Sequence, residues 1–217
     1  MKVFHSMPSA SAKLYPELAS YVAKRQAEFE EIPAPRRDDL RRVANYLQER
    51  IHAGQTARLI FICTHNSRRS HFSQIWAQVA ADLHGLVGVE TYSGGTEATA
   101  FNPRAVASLR RAGFQIDTNH AADENPLYHV RHAENAPAQK CFSKVFDQAP
   151  NPTTEYCAVM TCSQADDACP LVMGCDVRAP IRYEDPKMAD DTPKEQAVYD
   201  ERSRQICREM LFMMSLV

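Results

Sequence analysis

Apolar residues in the first fifty positions recur at helical spacing. Leu14, Leu18, Val22 and Phe29 mark one amphipathic stretch; after a proline-containing break, Leu40, Val43, Leu47 and Ile51 mark a second, which Gly54 is placed to stop. The period then changes. Residues 59–62 form a short continuous apolar run, followed by a polar loop and the amphipathic stretch 75–83, which predicts a strand, a loop and a helix in succession. A second unit of the same kind runs from the extended segment 89–92 through Ser93, Gly94 and Gly95 to a helix that Pro103 opens and Gly113 ends. Residues 157–161 and 177–183 read as two further strands and 193–216 as a long closing helix, whereas 118–155, rich in Asn, His, Ala and Pro, reads as an irregular insertion. Strands alternating with helices predict an α/β fold with a parallel four-stranded sheet covered by helices on both faces. The expected division is an N-terminal helical extension over 1–56 and one α/β domain over 57–217.

Composition narrows the partners. The 25 basic and 27 acidic residues leave a net charge of -2, too little bulk field to hold nucleic acid or an anionic membrane, so any anion site must be local. No apolar run approaches the roughly 20 residues of a membrane span, and the first residues lack the long apolar core of a signal peptide, which makes cytoplasm the expected location. Seven cysteines cannot all pair within one chain, and reduced thiols are expected.

The chemistry concentrates where the first strand meets the next helix. The segment CTHNSRRS places Cys63 at the strand end and Arg69 and Ser70 at the helix start. A turn there can aim backbone N–H groups inward, and the helix dipole adds positive charge at the same point, so a tetrahedral oxyanion should bind. The same donors favour thiolate over thiol, which makes Cys63 the expected nucleophile. Arg69 offers a planar fork for two oxygens, Ser70 can donate to the sulfur, and Asn66 can brace the loop. Thr64, His65, Ser67 and Arg68 complete the expected substrate-binding loop; Arg68 could add charge at its mouth, though a solvated surface arginine is the plainer expectation.

This loop resembles the CxxNxxRS loop of the low-molecular-weight protein tyrosine phosphatases and of the arsenate reductases built on that fold. The likeness runs from about Leu59 through YSGGTEATAFNPRAV to the chain end, interrupted by the longer central segment, and leaves the first fifty or so residues uncovered. His65 stands where that family usually has glycine, and Arg68 where many relatives carry a second cysteine. The resemblance implies that Asp185, in YEDP, is a general acid, with Glu184 as its local competitor. It also implies that Cys162 and Cys169, in VMTCSQADDACP, are a redox pair like that of the thioredoxin-coupled arsenate reductases. The implied activity is reduction of arsenate to arsenite with thioredoxin as partner. The alternatives are hydrolysis of a phosphotyrosine or other phosphomonoester, or an inactive anion-binding or redox-sensing module. A zinc site from Cys162, Cys169, Cys175 and a histidine competes but lacks short CxxC pairs. Gln74 replaces the acidic partner of a monovalent-cation site that the resemblance would place near Asn66 and Ser93, so neither metal nor cofactor is expected. Cys141, Cys157, Cys175 and Cys207 read as packing residues or incidental thiols.

Overall fold

The computed structural model describes residues 13–118, 122–168 and 172–217. Four strands, β1 (Ala57–Cys63), β2 (Val89–Gly95), β6 (Tyr156–Met160) and β7 (Cys175–Pro180), form one parallel sheet in the order β2-β1-β6-β7. The two central strands are almost wholly buried, as their unbroken apolar runs require. Alternate side chains divide the core in two. Leu59, Phe61, Cys157 and Val159 face a large cluster shared with α1 (Pro16–Gln26), α2 (Ala34–His52), α3 (Arg69–Leu83), α4 (Pro103–Arg111) and α6 (Glu195–Ser215). Ile60, Ile62, Ala158 and Met160 face a smaller cluster with Cys63, Cys162 and Ala165, the last on the six-residue helix α5 (Ser163–Ala168).

From β1 the chain crosses through α3 to β2 on one side, then returns to β6 on the other, so the strand order reverses at β1. An open parallel sheet binds ligands outside the carboxyl ends of its strands at such a reversal. Cys63 ends β1, and Cys162 follows β6 by two residues.

Three elements differ from the sequence expectation. An antiparallel sheet of β3 (Gln115–Thr118), β4 (Tyr128–Arg131) and β5 (Gln139–Cys141) begins just before the segment 118–155 that was expected to be irregular and places β4 and β5 within it. Each strand has only three or four residues, too short for alternation to register in the sequence. Strand β7 starts at Cys175, two residues earlier than its apolar run, because it lies at the sheet edge, where Asp176 can face solvent. Phe29 lies in a separate 3-10 turn (Phe29–Glu31) after α1.

Helices α1 and α2 pack on α6. Tyr21 stacks on Trp76 at 5.5 Å between ring centroids, and Trp76 Nε1 donates to Ser203 Oγ at 3.0 Å, tying α1, α3 and α6 together. Arg204 of α6 reaches back to Glu28 at 3.0 Å.

Candidate active site

The loop between β1 and α3 is shaped by its neighbours. Gly95 lies opposite Cys63 in the ladder, and a Cβ there would fall 2.6 Å from Thr64 O and 2.2 Å from Glu97 O, so only glycine lets the β2 end approach this closely. Thr96 N–H donates to Cys63 O and Glu97 N–H to Thr64 O, at 3.1 and 2.9 Å. The left-handed residue of the loop is Asn66, with φ of 44°. His65 has no such φ, so its position makes no demand for glycine; its ring points outward to Glu97, 3.0 Å away.

Asn66 is fully buried and spans the loop. Its Nδ2 donates to Ser70 Oγ at 2.9 Å, and its Oδ1 accepts from Lys144 N–H at 3.0 Å. With its two lone pairs filled in part by that donor, Ser70 Oγ sits 3.1 Å from Cys63 Sγ. The first-turn N–H groups of α3 have no partner inside the helix and carry its positive dipole end to the same place.

Arg69 is 6% exposed and ties the loop to the segment after β7. Its Nη2 donates to Asp185 Oδ2 at 2.6 Å and its Nη1 to Tyr183 O at 3.1 Å. Asp185 also caps the short 3-10 turn Pro186–Ala189 through Lys187 N–H, which fixes its carboxylate beside the loop.

Thr64 Oγ1 lies 3.5 Å from Cys162 Sγ. Cys162 is fully buried where α5 begins, and its sulfur accepts from Ala165 N–H at 3.3 Å. Asp166 of α5 pairs with Arg178 and Arg182. Cys169 lies outside the described residues. The loop, Cys162, Asp185 and Arg69 are therefore brought to one end of the sheet.

Two loop residues point elsewhere. Ser67 Oγ donates to Ala100 O at 2.7 Å. Arg68, expected as a solvated arginine or as charge at the mouth, is instead largely buried and held by Tyr199 Oη at 2.6 Å and Asp190 at 3.0 Å. Tyr199 and Asp190 lie far along the chain, and nothing local in the sequence marks them as its partners.

Sequence reasoning also missed three residues around the site. Ser143 Oγ donates to His65 O at 2.9 Å. Tyr183 supplies the carbonyl that holds Arg69. Lys144, buried behind Asn66, has its amine pushed down to about 8, chiefly by burial. Complete burial, with the Lys144 charge added to it, holds nearby His71 well below the ordinary histidine range. Cys141, Cys157 and Cys207 are buried, and burial pushes their thiols up. Cys175 Sγ donates to Val172 O at 3.1 Å. Among the described residues, no group of three His, Cys, Asp or Glu side chains is placed to hold a metal ion, and no helix is long and apolar enough to cross a membrane.

Residues 58–128 match the family described as low molecular weight phosphotyrosine protein phosphatase. Over these residues the chain is similar to the low-molecular-weight phosphatases. An arsenate reductase of Bacillus licheniformis is 27% identical over 148 residues, covering 67% of this chain and 86% of that protein. Arsenate reductase 2 of Staphylococcus epidermidis is 35% identical over 74 residues, 32% of this chain and 52% of its own length. Among solved structures, a low molecular weight phosphotyrosine phosphatase of Vibrio cholerae O395 aligns with a TM-score of 0.48 at 11% identity, over 74% of this chain and 95% of that one. The family match and the curated relatives support a cysteine-based oxyanion enzyme.

Proposed function

We propose that this enzyme reduces arsenate to arsenite through a relay of Cys63, Cys162 and Cys169. The observation that carries the proposal is the position of Cys162. A hydrolase needs no second sulfur, yet this one lies within 3.5 Å of the loop residue that follows Cys63, at the start of a short helix.

In this reading the Cys63 thiolate attacks arsenic, an As–S bond forms, and one arsenate oxygen leaves as water after protonation by Asp185. Arg69 and the loop N–H groups hold the remaining oxygens. Cys162 as thiolate then attacks Cys63 Sγ; the S–S bond forms, and the As–S electron pair stays on arsenic, which departs as arsenite. Cys169 attacks Cys162 Sγ and frees the Cys63 thiolate, leaving a disulfide between 162 and 169. A thioredoxin dithiol supplies the two electrons that reopen it. Thr64, His65, Asn66, Ser67 and Ser70 shape the loop around the anion, and Arg68 acts by fixing the start of α3.

Phosphomonoester hydrolysis is the second reading, favoured by the Asp185 carboxylate beside Arg69. It uses Cys63, Arg69 and Asp185, with a phosphocysteine in place of the arsenic adduct, and phosphotyrosine as the first substrate to try. Incubation with arsenate, thioredoxin, thioredoxin reductase and NADPH, beside a parallel assay with an aryl phosphate, separates the two. NADPH oxidation that depends on arsenate supports the reductase, whereas steady aryl phosphate turnover without it supports the phosphatase.

A further inference from the structure

Helix α2 precedes the residues matched to the phosphatase family, yet one of its side chains reaches the segment that carries Asp185. Arg36, in the first turn of α2, donates from Nη2 to the Arg182 carbonyl. Its guanidinium carbon lies 5.0 Å from the centroid of the Tyr183 ring, and its Nε lies 3.1 Å from Glu209 Oε2 on α6. The Glu209 side chain is 2% exposed, so Arg36 supplies a cation where a carboxylate has little water. Tyr183 is itself buried, with its phenol pushed well above the ordinary range by burial and by Glu209.

The backbone that Arg36 grips has two further attachments. Tyr183 N–H donates to Thr161 O at 3.0 Å, beside Cys162, and Tyr183 O accepts from Arg69 Nη1. Asp185 follows two residues later. Anchored on α6 by its ion pair with Glu209, one arginine thus holds by hydrogen bond and ring face the short stretch that orients both the anion fork and the carboxylate. Lysine could replace the ion pair but not the planar stacking and forked donation.

We propose that Arg36 is a positioning residue for the Arg69–Asp185 pair, which makes α2 a working part of the site. Its kinetic consequence rests on Asp185 being the general acid. Misplacing a reacting group by about 1 Å costs up to about a hundredfold in rate, so a tenfold to hundredfold loss is expected when the brace is removed.

The test compares Arg36→Ala, Arg36→Lys and Arg204→Ala in the full chain. Arg204 also ties α6 to the N-terminal segment, through Glu28 and Glu31, and is the control for docking alone. Two readouts are taken: amide hydrogen exchange of peptides covering 181–190, and aryl phosphate hydrolysis across a series of leaving groups. Arg36→Ala should speed exchange there by about tenfold or more and slow hydrolysis most for poor leaving groups, with Arg36→Lys intermediate. Arg204→Ala should lower the melting temperature yet leave both readouts as in the unmodified protein. Unchanged exchange in Arg36→Ala, or the same changes in Arg204→Ala, overturns the proposal. Faster exchange with an unaltered leaving-group dependence supports the brace and instead overturns Asp185 as the acid.

Discussion

Arg69 Nη2 and Asp185 Oδ2 lie 2.6 Å apart, so the cation expected to grip the oxyanion is already paired with the side chain expected to deliver a proton to the leaving oxygen. An entering anion must compete with Asp185 for that nitrogen. The contest is local, because Arg69 Nη1 stays anchored on Tyr183 O and cannot swing freely to meet the newcomer.

Asp185→Asn should therefore separate binding from catalysis. Removing the negative charge should tighten inorganic phosphate by about threefold to tenfold, in line with roughly 1 kcal/mol for a partly exposed charge pair. The same change should slow aryl phosphate hydrolysis by about a hundredfold, as loss of a general acid does. Calorimetric titration and steady-state rates check both. Weaker phosphate binding in the variant would contradict the competition.

Gly95→Ala should damage the loop from outside it. The added methyl would press on Thr64 O and Glu97 O, neither of which is a flexible side-chain end. Overpacking of this kind typically costs about 1–3 kcal/mol of stability, and turnover should fall by at least tenfold as the loop shifts. Urea unfolding and the turnover rate with either substrate check it; wild-type values for both would remove the claim that β2 shapes the loop.

These sites differ in how far the sequence reveals them. The β1 end, the loop and the α3 start are contiguous, so an apolar run meeting Cys63 and Arg69 can be read without knowing the fold. Asp185 lies 116 residues beyond Arg69, and only its resemblance to a known pattern, not its spacing, brings it to the site. Arg36, Tyr183 and Lys144 have no local signature at all. Their importance comes from tertiary neighbours, as does the burial of Arg68 against Tyr199 and Asp190. The antiparallel strands leave no mark in the sequence because three or four residues hold too little periodicity to distinguish a strand from a loop.

Lys144 should make stability depend on pH above neutrality. Burial lowers its amine from 10.5 to about 8, so between those values the unfolded chain holds a proton that the folded chain has released. Stability from this residue therefore rises with pH across that window, and the cost of the buried charge is fully present below it. Lys144→Met should stabilise the protein at pH 7 by on the order of 1–3 kcal/mol, and the gain should vanish near pH 10.5. Urea unfolding of both proteins at pH 7 and pH 10.5 tests this. An equal gain at both values would show that the amine is not strained by burial.

The most direct test of the relay is to identify the disulfide that arsenate leaves behind. Pure reduced protein is treated with arsenate in the absence of thioredoxin, quenched with an alkylating agent and digested for peptide mass spectrometry. The relay should leave a disulfide between Cys162 and Cys169 with Cys63 alkylated, about one arsenite released per enzyme, and, in Cys169→Ser, a trapped disulfide between Cys63 and Cys162. Recovery of Cys162 and Cys169 as free thiols after arsenate treatment, with aryl phosphate turnover intact, would contradict the reductase and leave the phosphatase standing.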